Sequence, residues 1–154
     1  MTYRMYAFRE MDLDTLYEML AHRFEVFVLG QKCIYHDFDE FDRNPLTRHL
    51  IARDEDGRLV GYVRIVPAAL HYDGYDAHSF GRLSVKEDAR CRGVGGELVR
   101  RACAWLCSQP GEHTVRISAM AYLEKFYTEL GFARVSEPFD KEGVAHIEMV
   151  YTAQ

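Results

Sequence analysis

Along the chain, apolar and polar residues switch between a two-residue and a 3.6-residue rhythm, and the switches mark out the elements. Tyr3, Met5 and Ala7 alternate with Arg4, Tyr6 and Phe8, which predicts a strand over residues 3–9. Asp12 or Asp14 then caps a helix whose core stripe is Leu13, Leu16, Tyr17, Leu20, Phe24, Phe27 and Val28. Residues 30–45 carry no period. Two apolar runs, Arg48–Arg53 and Leu59–Val66, flank the turn Asp54-Glu55-Asp56-Gly57 and read as a hairpin. A strand over residues 80–85 leads through a charged connection to a helix over 94–106, with Val94, Leu98, Ala102 and Leu106 on one face. After the break at Gln109-Pro110-Gly111 come a strand over 114–119 and a helix over 122–130 with Leu123, Phe126, Tyr127 and Leu130 inward. Gly131 stops that helix, and a hairpin of residues 132–139 and 144–151 closes the chain. The order is β, α, loop, β, β, β, α, β, α, β, β.

Composition narrows what this series can be. The 154 residues, 48% hydrophobic and 13% aromatic, suit one domain with a real core. A formal charge of -5 and the absence of a basic run argue against a nucleic-acid partner. No apolar stretch approaches the roughly 20 residues of a membrane span, and the N-terminus lacks a signal-type run, so a cytoplasmic location is expected. Cys33, Cys91, Cys103 and Cys107 form no C-x-x-C pair, and the seven histidines show no zinc spacing. Reduced thiols and no metal are expected.

Three places carry candidate chemistry. Arg23 falls seven residues after Leu16 and so lies nearly over it on the predicted core stripe, where a cation needs a partner: a structural ion pair with a following carboxylate, or a substrate anion. Asp37, Asp39, Glu40 and Asp42 alternate with Tyr35, Phe38 and Phe41, either a solvated loop pinned by its aromatics or a wall that attracts a cationic amine. Gly93, Gly95 and Gly96 crowd a helix entrance beside Arg90 and Arg92, an arrangement suited to a pyrophosphate, since glycines let backbone N–H groups approach an anion closely. The P-loop pattern needs Lys then Ser or Thr after its last glycine, and Gly96 is followed by Glu97 and Leu98. The dinucleotide fingerprint needs glycine or alanine where Leu98 stands.

Arg90-Cys91-Arg92-Gly93-Val94-Gly95 instead resembles the acetyl-CoA motif of the GNAT N-acetyltransferase superfamily, Arg/Gln-x-x-Gly-x-Gly/Ala after a strand. LEKFYTELGF, residues 123–132, resembles that family's second motif, in the right order and at the right separation. Residues 23–42, Arg48-His49 and Gly143 to Met149 look like the ElaA subfamily of bacterial acetyltransferases, over nearly the whole chain. The resemblance implies the α/β acyltransferase fold, a central mixed, mostly antiparallel sheet flanked by helices, as one domain over residues 1–154. It implies acetyl-CoA as cosubstrate and a primary amine, on a small molecule or peptide, as acceptor by direct attack in a ternary complex, in a monomer or homodimer.

Site residues follow from the same likeness. Leu83, Ser84 and Val85 pair with the pantetheine arm, the N–H groups of Arg92, Gly93, Val94, Gly95 and Gly96 hold the pyrophosphate with Arg90 and Cys91 alongside, and Phe126 lies against the cofactor. Val85 N–H is the expected oxyanion donor. Tyr127 matches the family's general acid, although a tyrosine on an apolar helix face also suits the core. For the base, His146 is preferred to His49, Glu148 and the acidic loop because imidazole titrates near neutrality. Arg23, Asp39 and Glu40 are the expected acceptor contacts. Residues 23–42 also resemble the acyl-homoserine-lactone synthases, which share the fold, and a non-catalytic acetyl-CoA sensor is the other alternative.

Overall fold

A computed structural model describes residues 1–32 and 35–154; the expectation for Cys33 lies outside them. β1 (Thr2–Tyr6), β2 (Arg48–Arg53), β3 (Leu59–Val66) and β4 (Ser79–Val85) form an antiparallel sheet in that order. A second antiparallel sheet joins β5 (Thr114–Met120) to β8 (Val144–Thr152), and β8 to β6 (Phe132–Arg134) and β7 (Phe139–Lys141). Between the two, Arg116 N–H donates to the His78 carbonyl at 2.8 Å, and a single parallel bridge links His78 to Val115. This is the expected mixed, mostly antiparallel arrangement. Past the bridge β4 and β5 separate.

β3 is buried along its whole length because both faces are covered. On one face α3 (Val94–Cys107) sets Val94, Leu98, Val99, Ala102 and Leu106 against Leu50, Ala52, Val60 and Val63. The predicted stripe of this helix is therefore its buried stripe, and each large aliphatic residue removed from water is worth roughly 1.5–3 kcal/mol. On the other face α1 (Leu13–Arg23) sets Met19 against Ile51, Leu59 and Tyr62. Asp12, not Asp14, caps α1, its carboxylate accepting from Thr15 N–H at 2.7 Å.

The α1 stripe needs correction. Leu13, Tyr17 and Phe24 are exposed, whereas Thr15, Met19, His22, Arg23 and Phe27 are buried. The helix runs on from Phe24 to Gly30 as a π-helical segment, whose wider turns break the 3.6-residue extrapolation, and polar contacts rather than apolarity select the inward face. β1 ends at Tyr6 because Ala7–Glu10 folds into a tight turn, with Ala7 N–H donating to the Glu10 carboxylate. The predicted strand over 132–139 breaks after Arg134. Pro138 offers no N–H, and the Ser136 hydroxyl accepts from Glu148 N–H at 2.9 Å in place of a ladder bond. The predicted helix over 122–130 is an Ala121–Leu123 turn followed by α4 (Glu124–Glu129).

Two buried histidines fix the pH range of this fold. His49, fully enclosed, donates from Nε2 to the Asp42 carbonyl at 2.9 Å and accepts the Tyr62 hydroxyl at Nδ1 at 2.7 Å. Burial pushes its pKa down to about 4, and burial with the charge of Lys86 does the same to His22. Both are neutral when folded and bind protons more readily when unfolded. Their stabilisation is thus complete above a pH of about 6.5 and drains as pH falls towards 4, at about 1.4 kcal/mol per unit per histidine. Urea unfolding at about pH 7 and about pH 5 is expected to show the lower midpoint at the lower pH, and His22→Gln to reduce that difference.

Candidate active site

Where β4 and β5 part, a cleft of about 360 Å³ opens between Gly81, Arg82 and Leu83 on one side and Ile117, Ser118, Ala119 and Met120 on the other. β4 enters it with a bulge: Tyr62 faces Ser84 and Arg64 faces Gly81, so Arg82 and Leu83 together oppose Val63. Arg82 takes the left-handed conformation, φ 57. Beyond the bulge, Lys86 N–H donates to the Val60 carbonyl at 2.8 Å. The adjoining Val85·Gly61 pair is then the non-hydrogen-bonded kind, which turns the Val85 N–H and carbonyl away from β3. Arg90 Nε donates to that carbonyl at 3.1 Å, and the Val85 N–H faces the gap.

The glycines stand at the end of the same edge. Gly93 is the residue before α3 and sits at φ 77, a conformation that costs glycine little and most residues about 1–2 kcal/mol. No side chain caps this helix, and among the described residues the amides of Cys91 to Gly96 donate to no acceptor in the chain. A Cβ on Gly95 would come 3.6 Å from the Phe126 ring and 3.7 Å from Val85, filling the space between cradle and strand. Arg90, Cys91 and Arg92 are exposed around it. An unpaired strand edge ending at an uncapped helix N-terminus fits an extended ligand that carries a pyrophosphate at one end.

Tyr127 and His146 both line the cleft. Tyr127 is packed against Phe80, Phe126 and Phe132 and is 5% exposed, and burial raises its phenol above the ordinary tyrosine range, so it is protonated at neutral pH. His146 Nδ1 donates to the Val144 carbonyl at 2.8 Å, which leaves the neutral ring's lone pair on Nε2. His49 is enclosed, with both nitrogens engaged, and does not reach the cleft. Glu148, another candidate base, accepts from Tyr75 at 3.2 Å and pairs with Arg116.

The acidic loop supplies Arg23 with its ion-pair partners, the first of the two alternatives for that residue. Arg23 is fully buried and binds Asp37 at 3.0 Å and Asp42 at 2.6 Å. Arg64, also fully buried, grips both oxygens of Asp39, at 2.7 and 3.1 Å, and reaches Asp42 at 3.0 Å. Arg82 pairs with Asp37 at 2.7 Å. Aromatic faces lie against the guanidinium groups: Phe38 and Tyr62 beside Arg23, Phe41 and Tyr72 beside Arg64, and Tyr35 beside Arg82. Burial alone would raise the Asp42 carboxyl, but the hydrogen bond from Arg23 and the charges of Arg23 and Arg64 outweigh it and hold it below the usual range. The expectation that Arg23 and Glu40 meet an acceptor is corrected. Arg23 is spent on its carboxylates, and Glu40 projects to the surface at the start of α2 (Glu40–Arg43); only Asp39 of the three lines the cleft.

Residues 17–153 match the acetyltransferase (GNAT) domain model. This chain belongs to the GNAT family. A UPF0039 protein of Synechocystis is 35% identical over 94% of this chain and 90% of its own. The protein ElaA of Escherichia coli is 32% identical over 91% and 89%, and the crystal structure of E. coli ElaA superposes with a TM-score of 0.86 over 97% of this chain and 98% of that one, so the chain is ElaA-like. An acyl-CoA N-acyltransferase of Pseudomonas aeruginosa, 31% identical, superposes equally well over 98% and 99%. The acyl-homoserine lactone synthase BjaI, 15% identical, shares the fold, with a TM-score of 0.80 over 99% of this chain and 83% of its own. The GNAT fold serves acyl transfer, and acyltransferase activity is the coarse function of this chain.

Replacing Arg23 by Met is expected to leave two buried carboxylates short of their partner and to cost about 3–5 kcal/mol in urea unfolding. Arg58→Ala, which breaks exposed pairs with Asp54 and Asp88, is expected to leave the urea midpoint nearly unchanged.

Proposed function

We propose that this protein transfers the acetyl group of acetyl-CoA to a primary amine by direct attack within a ternary complex. The observation that carries the reading is the continuity of the free β4 edge with the uncapped cradle. One ligand can lie along Leu83, Ser84 and Val85 and end on the amides of Arg92 to Gly96, with Arg90 and Arg92 beside its phosphates. Phe126 walls the side where Gly95 leaves room. The Val85 N–H, already turned into the gap, stabilises the oxyanion that builds on the thioester carbonyl, an interaction typically worth about 10²–10³ in rate.

Tyr127 is the neutral donor to the departing thiolate, whose reference pKa is near 8.5 by analogy with cysteine. Because burial makes its phenol a weaker acid than usual, it stabilises the sulfur by a hydrogen bond while the proton transfer completes. His146 takes the proton from the incoming ammonium at Nε2, directly or through water. Asp39 is the carboxylate that meets the amine, its charge shared with Arg64 so that the amine is attracted without being held tightly.

Calorimetric titration with acetyl-CoA is expected to show saturable binding that Gly93→Glu abolishes, since that change places a carboxylate and a strained backbone in the cradle. In an amine screen followed by thiol release, Tyr127→Phe and His146→Gln are each expected to lower kcat by about 10²-fold with binding of acetyl-CoA retained. Wild-type protein that ignores acetyl-CoA but binds S-adenosylmethionine would favour the lactone-synthase-like alternative, and binding without turnover of any amine would favour a sensor.

A further inference from the structure

Arg82 holds a left-handed backbone in mid-strand, a conformation that a non-glycine residue keeps only where its surroundings impose it. Those surroundings lie outside β4. On the backbone side, the Ser84 hydroxyl donates to the Arg82 carbonyl at 3.3 Å, and His22 of α1 meets the same hydroxyl oxygen at 2.9 Å through Nε2. Ser84 has one hydrogen and gives it to Arg82, so His22 is the donor, in the Nε2–H form. On the side-chain side, Asp37 pairs with Arg82 Nε at 2.7 Å and its carbonyl accepts from Nη2 at 3.3 Å. The bulge is therefore gripped at both ends of one residue.

His22 is 2% and Ser84 5% exposed, and neither lines the cleft, so neither side chain meets acyl group or amine. Burial keeps His22 neutral through the working pH range, so the donor stays in one form. What the pair controls is register. If the strand after Arg82 slipped by one residue, the Val85 N–H would swing from the gap onto β3, since ladder orientation alternates along the strand. We propose that His22 and Ser84 are positioning residues that lock the Arg82 bulge and thereby aim the Val85 amide into the acyl site, a role that rests on the acyl-CoA reading of the gap. Asp37 also ties the acidic loop to this strand.

Ser84→Ala and His22→Leu each remove the relay, and His22→Gln preserves an N–H at the Nε2 position. In the protein without ligand, amide exchange at Ser84 and Lys86, followed by NMR, is expected to accelerate about tenfold or more in the first two variants and to stay near wild type in the third, with β1 amides unchanged in all. With acetyl-CoA labelled by ¹³C at the thioester carbonyl and added to saturation, the bound carbonyl signal is expected to lose its hydrogen-bond shift in Ser84→Ala and His22→Leu and recover it in His22→Gln. Unaltered amides in both Ser84→Ala and His22→Leu would overturn the clamp. Disturbed amides in a protein that binds no acetyl-CoA would overturn the catalytic purpose given to it and, separately, the acyl-CoA reading. Should His22→Leu fail to fold, Ser84→Ala, which deletes only a hydroxyl, decides alone.

Discussion

Three arginines and three aspartates, flanked by five aromatic rings and buried except where Asp39 and Arg82 reach the cleft, are the constraint on which the working end of this molecule depends. Arg23 comes from α1, Arg64 from β3 and Arg82 from β4, while Asp37, Asp39 and Asp42 come from one short loop and the helix it enters. The charges balance, which is what permits their burial. Removing two ions from water is expensive, and the attraction repays it only where hydrogen bonds use the remaining donors and lone pairs. Here a second layer supplies part of them, with Tyr62 bridging Arg23 and His49 and His49 held in turn by the Asp42 carbonyl, while Arg64 Nε makes no hydrogen bond among the described residues. The network has an energetic cost relative to an apolar core of the same volume, but it fixes a loop that apolar packing would leave free to slide.

That fixed loop stands opposite an opening in the sheet. β4 and β5 touch at His78 and Val115 and then part, so β4 presents backbone donors to a cleft instead of to a neighbouring strand. Unpaired backbone is tolerated where water or a ligand can reach it. The bulge at Arg82 adds a second departure from regular structure at the same point, and α3 begins with amides that nothing caps. These features meet along one line from the cleft to the start of α3, with α3 packed behind the strand, Asp37 paired to Arg82 at the bulge and buried arginines behind the loop.

How much of this was legible depended on sequence distance. The cradle lies within seven residues, Arg90 to Gly96, so its spacing pointed to the family, and the second motif with the order of elements read from the hydrophobic periods carried the fold. The α3 stripe was also legible because one apolar face met one apolar sheet. Arg23 was placed on the inward face with an ion pair among its readings, but the rest of that face was misread because it carries Thr15 and His22, and the Ser84 partner of His22 lies 62 residues away. No local pattern encodes such pairs, and the π-helical segment displaces the period besides. The acidic run was seen, but which of its carboxylates arginines of other elements claim was not legible, since those arginines lie far along the chain.

The central claim is that the gap between β4 and β5, with the cradle at its end, is a single acyl-CoA site. A crystal structure of the protein with acetyl-CoA tests it most directly. The account predicts pyrophosphate oxygens within about 3.2 Å of amides between Arg92 and Gly96, the pantetheine arm beside Leu83 to Val85, and the thioester carbonyl at the Val85 N–H. Acetyl-CoA bound elsewhere on the surface, with the gap empty and the amides of the cradle still unpaired, would contradict it.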